Sequence, residues 1–202
     1  VPALIDLRAA GLYVIAVRVS DVVGQAATAA ASLVFPRVAG LADQGTELTE
    51  RTVRMMLVVV VAMAVVLGLM GETLLRIAFG PAYEASTTAL LILLVATIPL
   101  SVSRIVSADL KGRGRPGLVS WAAVVTVLTT VALDLLLIPA SGIEGASVAS
   151  LLAYAAGMVA VLWAYRAVTS GRLAAMVPRP ADARRLAQLL ARPRAGDGEA
   201  GS

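Results

Sequence analysis

Five apolar runs divide this chain, near residues 11–35, 55–79, 86–106, 118–138 and 146–165. Each holds roughly 20 residues or more, the length an α-helix needs to cross the hydrocarbon of a bilayer. The connections between them alternate in charge. Arg37, Arg51 and Arg54 lie in or beside the first, and Lys111, Arg113 and Arg115 fill the third. The second, around Gly80-Pro81-Ala82-Tyr83, has no Lys or Arg, and neither has the fourth, which carries Glu144. The tail holds Arg166, Arg172, Arg179, Arg184, Arg185, Arg192 and Arg194. Excess positive charge marks cytoplasmic segments. The first and third connections and the tail are therefore expected inside, and the start of the chain outside. An outside start with no signal sequence suggests helices upstream, so the chain is read as a piece of a longer protein.

Composition supports an all-α integral membrane class with five transmembrane helices. Hydrophobic residues make up 59% of the chain and charged ones 15%, too little polar surface for a soluble domain of this length. Lipid-facing backbone must satisfy its own hydrogen bonds, which selects helices. There is no cysteine, hence no disulfide and no thiolate chemistry. Histidine is also absent, which removes the usual general base and commonest metal ligand. With no catalytic constellation visible, no enzyme and no cofactor are expected. The net charge of +4 is a topology signal rather than a nucleic-acid footprint. "GRGRPG" at 112–117 matches G-x-G-x-x-G in letters, but apolar spans flank it instead of a strand and crossover helix. Residues 1–166 form the expected bundle and 167–202 a basic cytoplasmic tail. Within the tail, "DARRLAQLLARPR" reads either as a solvated basic run or as a helix lying on the membrane surface, with Asp182 as a cap. "AGDGEAGS" is expected to be disordered.

Polar side chains inside a span are costly, so their placement carries information. Arg18, Asp21, Gln25, Thr28 and Ser32 recur at spacings of three and four, one face of one helix. Two readings stand: an internally neutralised Arg18–Asp21 pair with hydroxyls bonded to backbone, or the wall of a hydrated cavity. Thr97, Ser101 and Arg104 share a face of the third span, where Pro99 is expected to kink or open the helix. Arg104 either faces the cavity or snorkels to the interface. In the fourth span, Thr126, Thr130 and Asp134 follow at i, i+4 and i+8. Asp134 could pair with Arg18 or Arg76, take a proton, bind a cation, or make a structural hydrogen bond. "MMLVVVVAMAVVLGLM" in the second span is apolar all round and is expected to face lipid. Glu72 and Arg76 anchor its outer end. Pro139 and Gly142 predict a short turn between antiparallel helices. Gly145, Ala149, Ala153 and Gly157 then form a small-residue stripe for close helix contact, with Ser147, Ser150 and Tyr154 on a more polar neighbouring face.

Four stretches, in order, resemble a known family. "AAGLYVIAVRVSDVVGQAATAAASLVFPRVA" is similar to a Gly-Leu-Tyr…Ala segment and downstream Phe-Pro of bacterial polysaccharide flippases, relatives of the multidrug and toxic compound extrusion (MATE) transporters. "LLRIAFGPAYEASTTALLILLVA" resembles their Phe-Gly-x-x-Tyr turn and helix, "DLKGRGRPG" their loop ending in Gly-Arg, and "LDLLLIPASGIEGASVAS" their Leu-Ile-Pro…Gly…Gly-Ala…Ala signature. The family often has asparagine where Asp134 stands. The resemblance implies part of the second lobe of a two-lobed transporter of twelve to fourteen helices in a bacterial cytoplasmic membrane. It also implies an N-terminal lobe as partner, along with membrane lipids and polysaccharide assembly proteins. The implied activity is translocation of a lipid-diphosphate-linked oligosaccharide by alternating access, for cell-envelope polysaccharide biosynthesis. Arg18, Asp21, Gln25, Thr28, Ser32, Thr97, Ser101 and Arg104 would line its cavity. Asp21 and Asp134 are candidates for coupling to H+ or Na+. The rival expectations are a drug or metabolite exporter of the same fold, a non-transporting envelope scaffold and, more weakly, a membrane enzyme.

Overall fold

The computed structural model describes residues 7–40, 45–80, 86–169, 173–179 and 182. Among them the chain is helical, with no strand. Helix α1 spans Leu7–Gly40, α2 Gly45–Phe79, α3 Thr87–Gly112 and α4 Pro116–Val168, and a 3-10 turn follows at Leu173–Met176. All four helices are long and apolar enough to cross a membrane. They overrun the apolar runs because hydrophobicity measures the hydrocarbon thickness, while backbone hydrogen bonding continues into the polar flanks. Pro81 and Tyr83 of the second connection, and the tail stretch after Asp182, fall outside the described residues.

The last two expected spans meet within α4, and Pro139 lies in helical backbone rather than in an open turn. A straight helix of 53 residues would reach about 80 Å, far beyond any bilayer. It is broken at Gly142, whose φ of 55° and ψ of −128° lie outside helical space. The two arms, 116–141 and 143–168, fold back on one another. A Cβ on Gly145 would overlap the Leu137 carbonyl oxygen, and one on Gly157 would overlap Thr126 Oγ1. Trp121 and Trp163 meet with ring centroids 5.7 Å apart. These three pairs, nested around Gly142, define an antiparallel hairpin. Gly145, Ala149, Ala153 and Gly157 are all buried. The stripe of small residues therefore does what its spacing suggests and lets two backbones meet without a large core.

Helix α3 is the axis of the bundle and packs against α1, α2 and α4. It runs parallel to α1: Ser86, at its N-cap, donates to the Leu12 carbonyl, and Arg104 reaches Gly24. It runs antiparallel to α2, whose Gly71 and Gly68 face Leu90 and Leu91 and whose Thr49 bonds Asp109. Pro99 is buried within a continuous α3, and the nearby hydroxyls of Thr97, Ser101 and Ser103 donate to the carbonyls of Leu94, Thr97 and Pro99. One core cluster gathers Val34, Val53, Ile105, Leu110, Val161 and Tyr165; a second gathers Ala16, Val23, Val60, Leu75, Leu90 and Leu94. Val61, Val65, Val66, Leu69, Met70 and Ile77 of α2 remain exposed, as an apolar surface against lipid would.

The end of the bundle rich in basic residues is tied by polar contacts. Asp109 is fully buried; its carboxylate accepts from Thr49 Oγ1 at 2.8 Å and Arg113 Nε at 2.7 Å, and Arg113 Nη2 donates to Thr46 Oγ1 at 2.9 Å. The turn after Val168 also docks there. Met176 is buried, Arg54 pairs with Asp182 at 2.9 Å, and the Arg179 amide donates to the same carboxylate. Asp182 thus joins the tail to α2.

Candidate functional site

The polar and small faces of α1 separate as its spacing dictates. Ala16, Val23, Ala27, Ala30 and Val34 are buried, while Arg18, Gln25, Thr28 and Ser32 are exposed and Asp21 is half-buried. Arg18 and Asp21 form no ion pair with each other, while the Thr28 and Ser32 hydroxyls donate to the backbone carbonyls of Gly24 and Ala29. Arg18 stays at the surface; Asp21 lines a small pocket described below.

Small side chains on the buried face of α1 let α3 come close, and one long side chain crosses the gap. Arg104 Nη1 donates to the Gly24 carbonyl at 2.7 Å and to Thr28 Oγ1 at 2.8 Å. Arg104 is half-buried, and its guanidinium is held against α1 by these two bonds. Among the described residues no carboxylate pairs with it. Both bonds are made by Nη1 to neutral oxygens, which leaves the Nε and Nη2 edge for another acceptor.

That arginine lines a groove of about 750 Å³ between α1, α3 and the first arm of α4. Its polar lining is Thr28, Ser32, Ser103, Arg104, Ser107 and Lys111, with Ala31, Phe35 and Val119 supplying apolar walls. Arg104, Ser107 and Lys111 stand at i, i+3 and i+7, one side of α3. Two cations and four hydroxyls share the space, and among the described residues no acid lines it. Ser32 and Ser103 already donate to the carbonyls of Ala29 and Pro99, so their oxygens remain as acceptors. A site of this kind suits an anion carrying hydroxyl groups. Three of the groove's polar residues, Ser103, Ser107 and Lys111, are absent from the set expected on sequence grounds; for Ser107 and Lys111 the signal is the i+3, i+7 register from Arg104.

A second, smaller pocket of about 160 Å³ lies deeper, between α1, α3 and the second arm of α4. Tyr13, Ser20, Asp21, Thr97, Ser150 and Tyr154 give it its polar atoms. The Tyr13 hydroxyl and Ser150 Oγ are 3.2 Å apart, joining α1 to the hairpin. Asp21, Arg104 and Asp134 all lie within electrostatic reach of Tyr154. The expected site residues therefore divide. Thr28, Ser32 and Arg104 meet in the groove; Asp21 and Thr97 meet in the pocket; Ser101 is buried and lines neither; Arg18 and Gln25 are exposed on the outer face of α1. Asp134 is half-buried on the first arm of α4.

No protein-family description matches this chain, and no solved structure does. Over 155 residues, 74% of the chain, it is 29% identical to the protein named "Probable low-salt glycan biosynthesis flippase Agl15" of Haloferax volcanii. The chain spans about a third of that relative's length (33%). The likeness supports a flippase-like membrane protein; the relative is archaeal, so the bacterial side of the expected resemblance gains nothing from it.

Proposed function

We propose that this chain is part of a flippase that carries a lipid-diphosphate-linked oligosaccharide across the cytoplasmic membrane. The observation that carries the reading is Arg104: a guanidinium with no carboxylate partner among the described residues, seated by two neutral oxygens and open along one edge to a roomy groove. A diphosphate headgroup cannot cross hydrocarbon unaided. An arginine fork pairs with phosphate oxygens through two parallel hydrogen bonds, and Lys111 adds a mobile point charge on the same face. Groove hydroxyls take the sugar's hydroxyl groups, while the lipid tail stays in the bilayer.

In this reading the chain crosses the membrane five times, each arm of the hairpin counting once, with the basic end in the cytoplasm and Gly142 outside. The rest of the protein supplies a facing lobe. Rocking of one lobe against the other exposes the groove to each side in turn, as in transporters built of pseudo-symmetric repeats. Arg18 and Gln25, exposed on the same helix, face that shared cavity. Asp21, in the deeper pocket, and Asp134 are the groups through which H+ or Na+ would couple. An exporter of cationic drugs would want carboxylates where the groove has none, and a scaffold has no need of an arginine held open in this way.

The test is made in cells lacking the full-length protein. Lipid-diphosphate glycan should accumulate on the cytoplasmic leaflet and should clear with the wild type but not with Arg104→Gln at equal expression. Normal surface polysaccharide without accumulation would overturn the reading.

A further inference from the structure

We infer that Gly24 is a positioning residue for Arg104: its carbonyl oxygen and its missing side chain together make the seat from which the guanidinium is presented to the groove. The inference rests on the anion-binding reading of that groove. Gly24 lies buried inside α1, and its backbone has no positive φ, so the helix itself does not call for glycine there. What calls for it is the neighbour. A Cβ at Gly24 would lie 3.0 Å from Arg104 Nη1, 3.7 Å from Cζ and 3.8 Å from Nη2. The same Nη1 sits 2.7 Å from the Gly24 oxygen and 2.8 Å from Thr28 Oγ1, one turn further along α1. A side chain at position 24 would therefore push on the group that the carbonyl beneath it holds.

Gly24 differs in this from Gly145, where a Cβ would strike the backbone of Leu137. The obstacle at Gly24 is the tip of a long, flexible side chain. Alanine can be accommodated by moving the guanidinium, and alanine is the better helix former. Gly24→Ala should thus leave the fold intact and disturb only where the arginine fork points. Thr28 supplies the other half of the seat. Thr28→Val keeps the side chain's shape and removes the oxygen that accepts from Nη1. Because both residues act through one nitrogen, their effects should not add.

The experiment uses the full-length protein in lipid nanodiscs and a fluorescent polyprenyl diphosphate as probe, reading Kd and thermal stability together. Gly24→Ala and Thr28→Val should each raise Kd by ~10-fold, the scale of one misdirected charge-assisted hydrogen bond. Stability should not fall in either, and the double variant should bind no worse than the weaker single. In an Arg104→Lys background, where the charge remains and the two-proton Nη1 is gone, Gly24→Ala should change Kd by less than about two-fold. Unchanged affinity in Gly24→Ala, or the same ~10-fold loss from Gly24→Ala when Arg104 is lysine, overturns the inference. If Arg104→Gln binds the probe as the wild type does, the anion-binding reading itself fails, a different outcome from either of these.

Discussion

Removing the Asp109 carboxylate should destabilise the basic end of the bundle by about 3 kcal/mol. Asp109 has no exposed surface, and both of its oxygens are used: Oδ1 accepts from Thr49 at 2.8 Å and Oδ2 from Arg113 Nε at 2.7 Å. In Asp109→Ala, a charge-assisted bond worth about 1.5–3 kcal/mol is lost, and the Thr49 hydroxyl loses its acceptor at a further cost of about 1 kcal/mol. Stranding a fully buried partner charge costs about 3–5 kcal/mol. Arg113 keeps 15% of its side-chain surface exposed and still has Thr46, so partial hydration holds the sum near the lower bound. Asp109→Asn keeps an acceptor for Thr49 but turns its amide NH2 toward the Arg113 Nε–H, so it loses the bond to Arg113 as well as the charge, for about 2 kcal/mol. The assay is reversible unfolding of the full-length protein in mixed micelles with increasing denaturing detergent. A cycle through Asp109→Ala, Arg113→Ala and the double variant should give a coupling of about 2 kcal/mol. Asp109→Ala within about 0.5 kcal/mol of the wild type, or additive single variants, would refute the argument.

Gly157→Val should prevent the hairpin from closing, since even a Cβ there overlaps Thr126, and overpacking of this kind costs about 1–3 kcal/mol or more. The check is a short cross-linker between cysteines at Trp121 and Trp163, clean in a cysteine-free chain: efficient without the valine, lost with it. Arg54→Ala should release the turn at Leu173–Met176 and speed tryptic cleavage of the Arg172–Leu173 bond at its start, because it removes the pairing with Asp182 and the bond to the Ala175 carbonyl; an unchanged cleavage rate would contradict the docking. Arg104→Lys should keep part of the transport rate and Arg104→Gln almost none, measured in cells at equal expression, since lysine keeps the charge but not the fork.

The all-helical class and the long apolar helices were legible because lipid thickness fixes the length of an apolar run, and the hairpin because Gly142 and the small stripe from Gly145 to Gly157 leave few other packings. Helix ends were less so. Thr46, Thr49, Asp109 and Arg113 lie in stretches that read as connections, yet α2 and α3 extend through them, and the Asp109–Arg113 pair at i, i+4 was the available clue. The role of Arg104 could not be read from its own helix. Whether it snorkels or crosses depends on how close α1 comes, which is set by alanines on a different segment. The Arg18–Asp21 spacing allowed a pair that does not form; the two side chains leave the helix toward different surroundings, one exposed and one into the pocket of Tyr13 and Tyr154. The deeper pocket combines three helices distant in sequence, which no single periodicity reveals.

In the function proposed above, Arg104 recognises the diphosphate of a lipid-linked glycan during its passage between leaflets. The measurement that reaches it most directly is leaflet exchange of a fluorescent lipid-diphosphate oligosaccharide in proteoliposomes of the full-length protein. The expected result is rapid exchange with the wild type, exchange reduced to the protein-free rate with Arg104→Gln, and no transport of a neutral glycolipid by either. Equal exchange by wild type and Arg104→Gln, or none by a folded wild type under an H+ or Na+ gradient, would contradict the account.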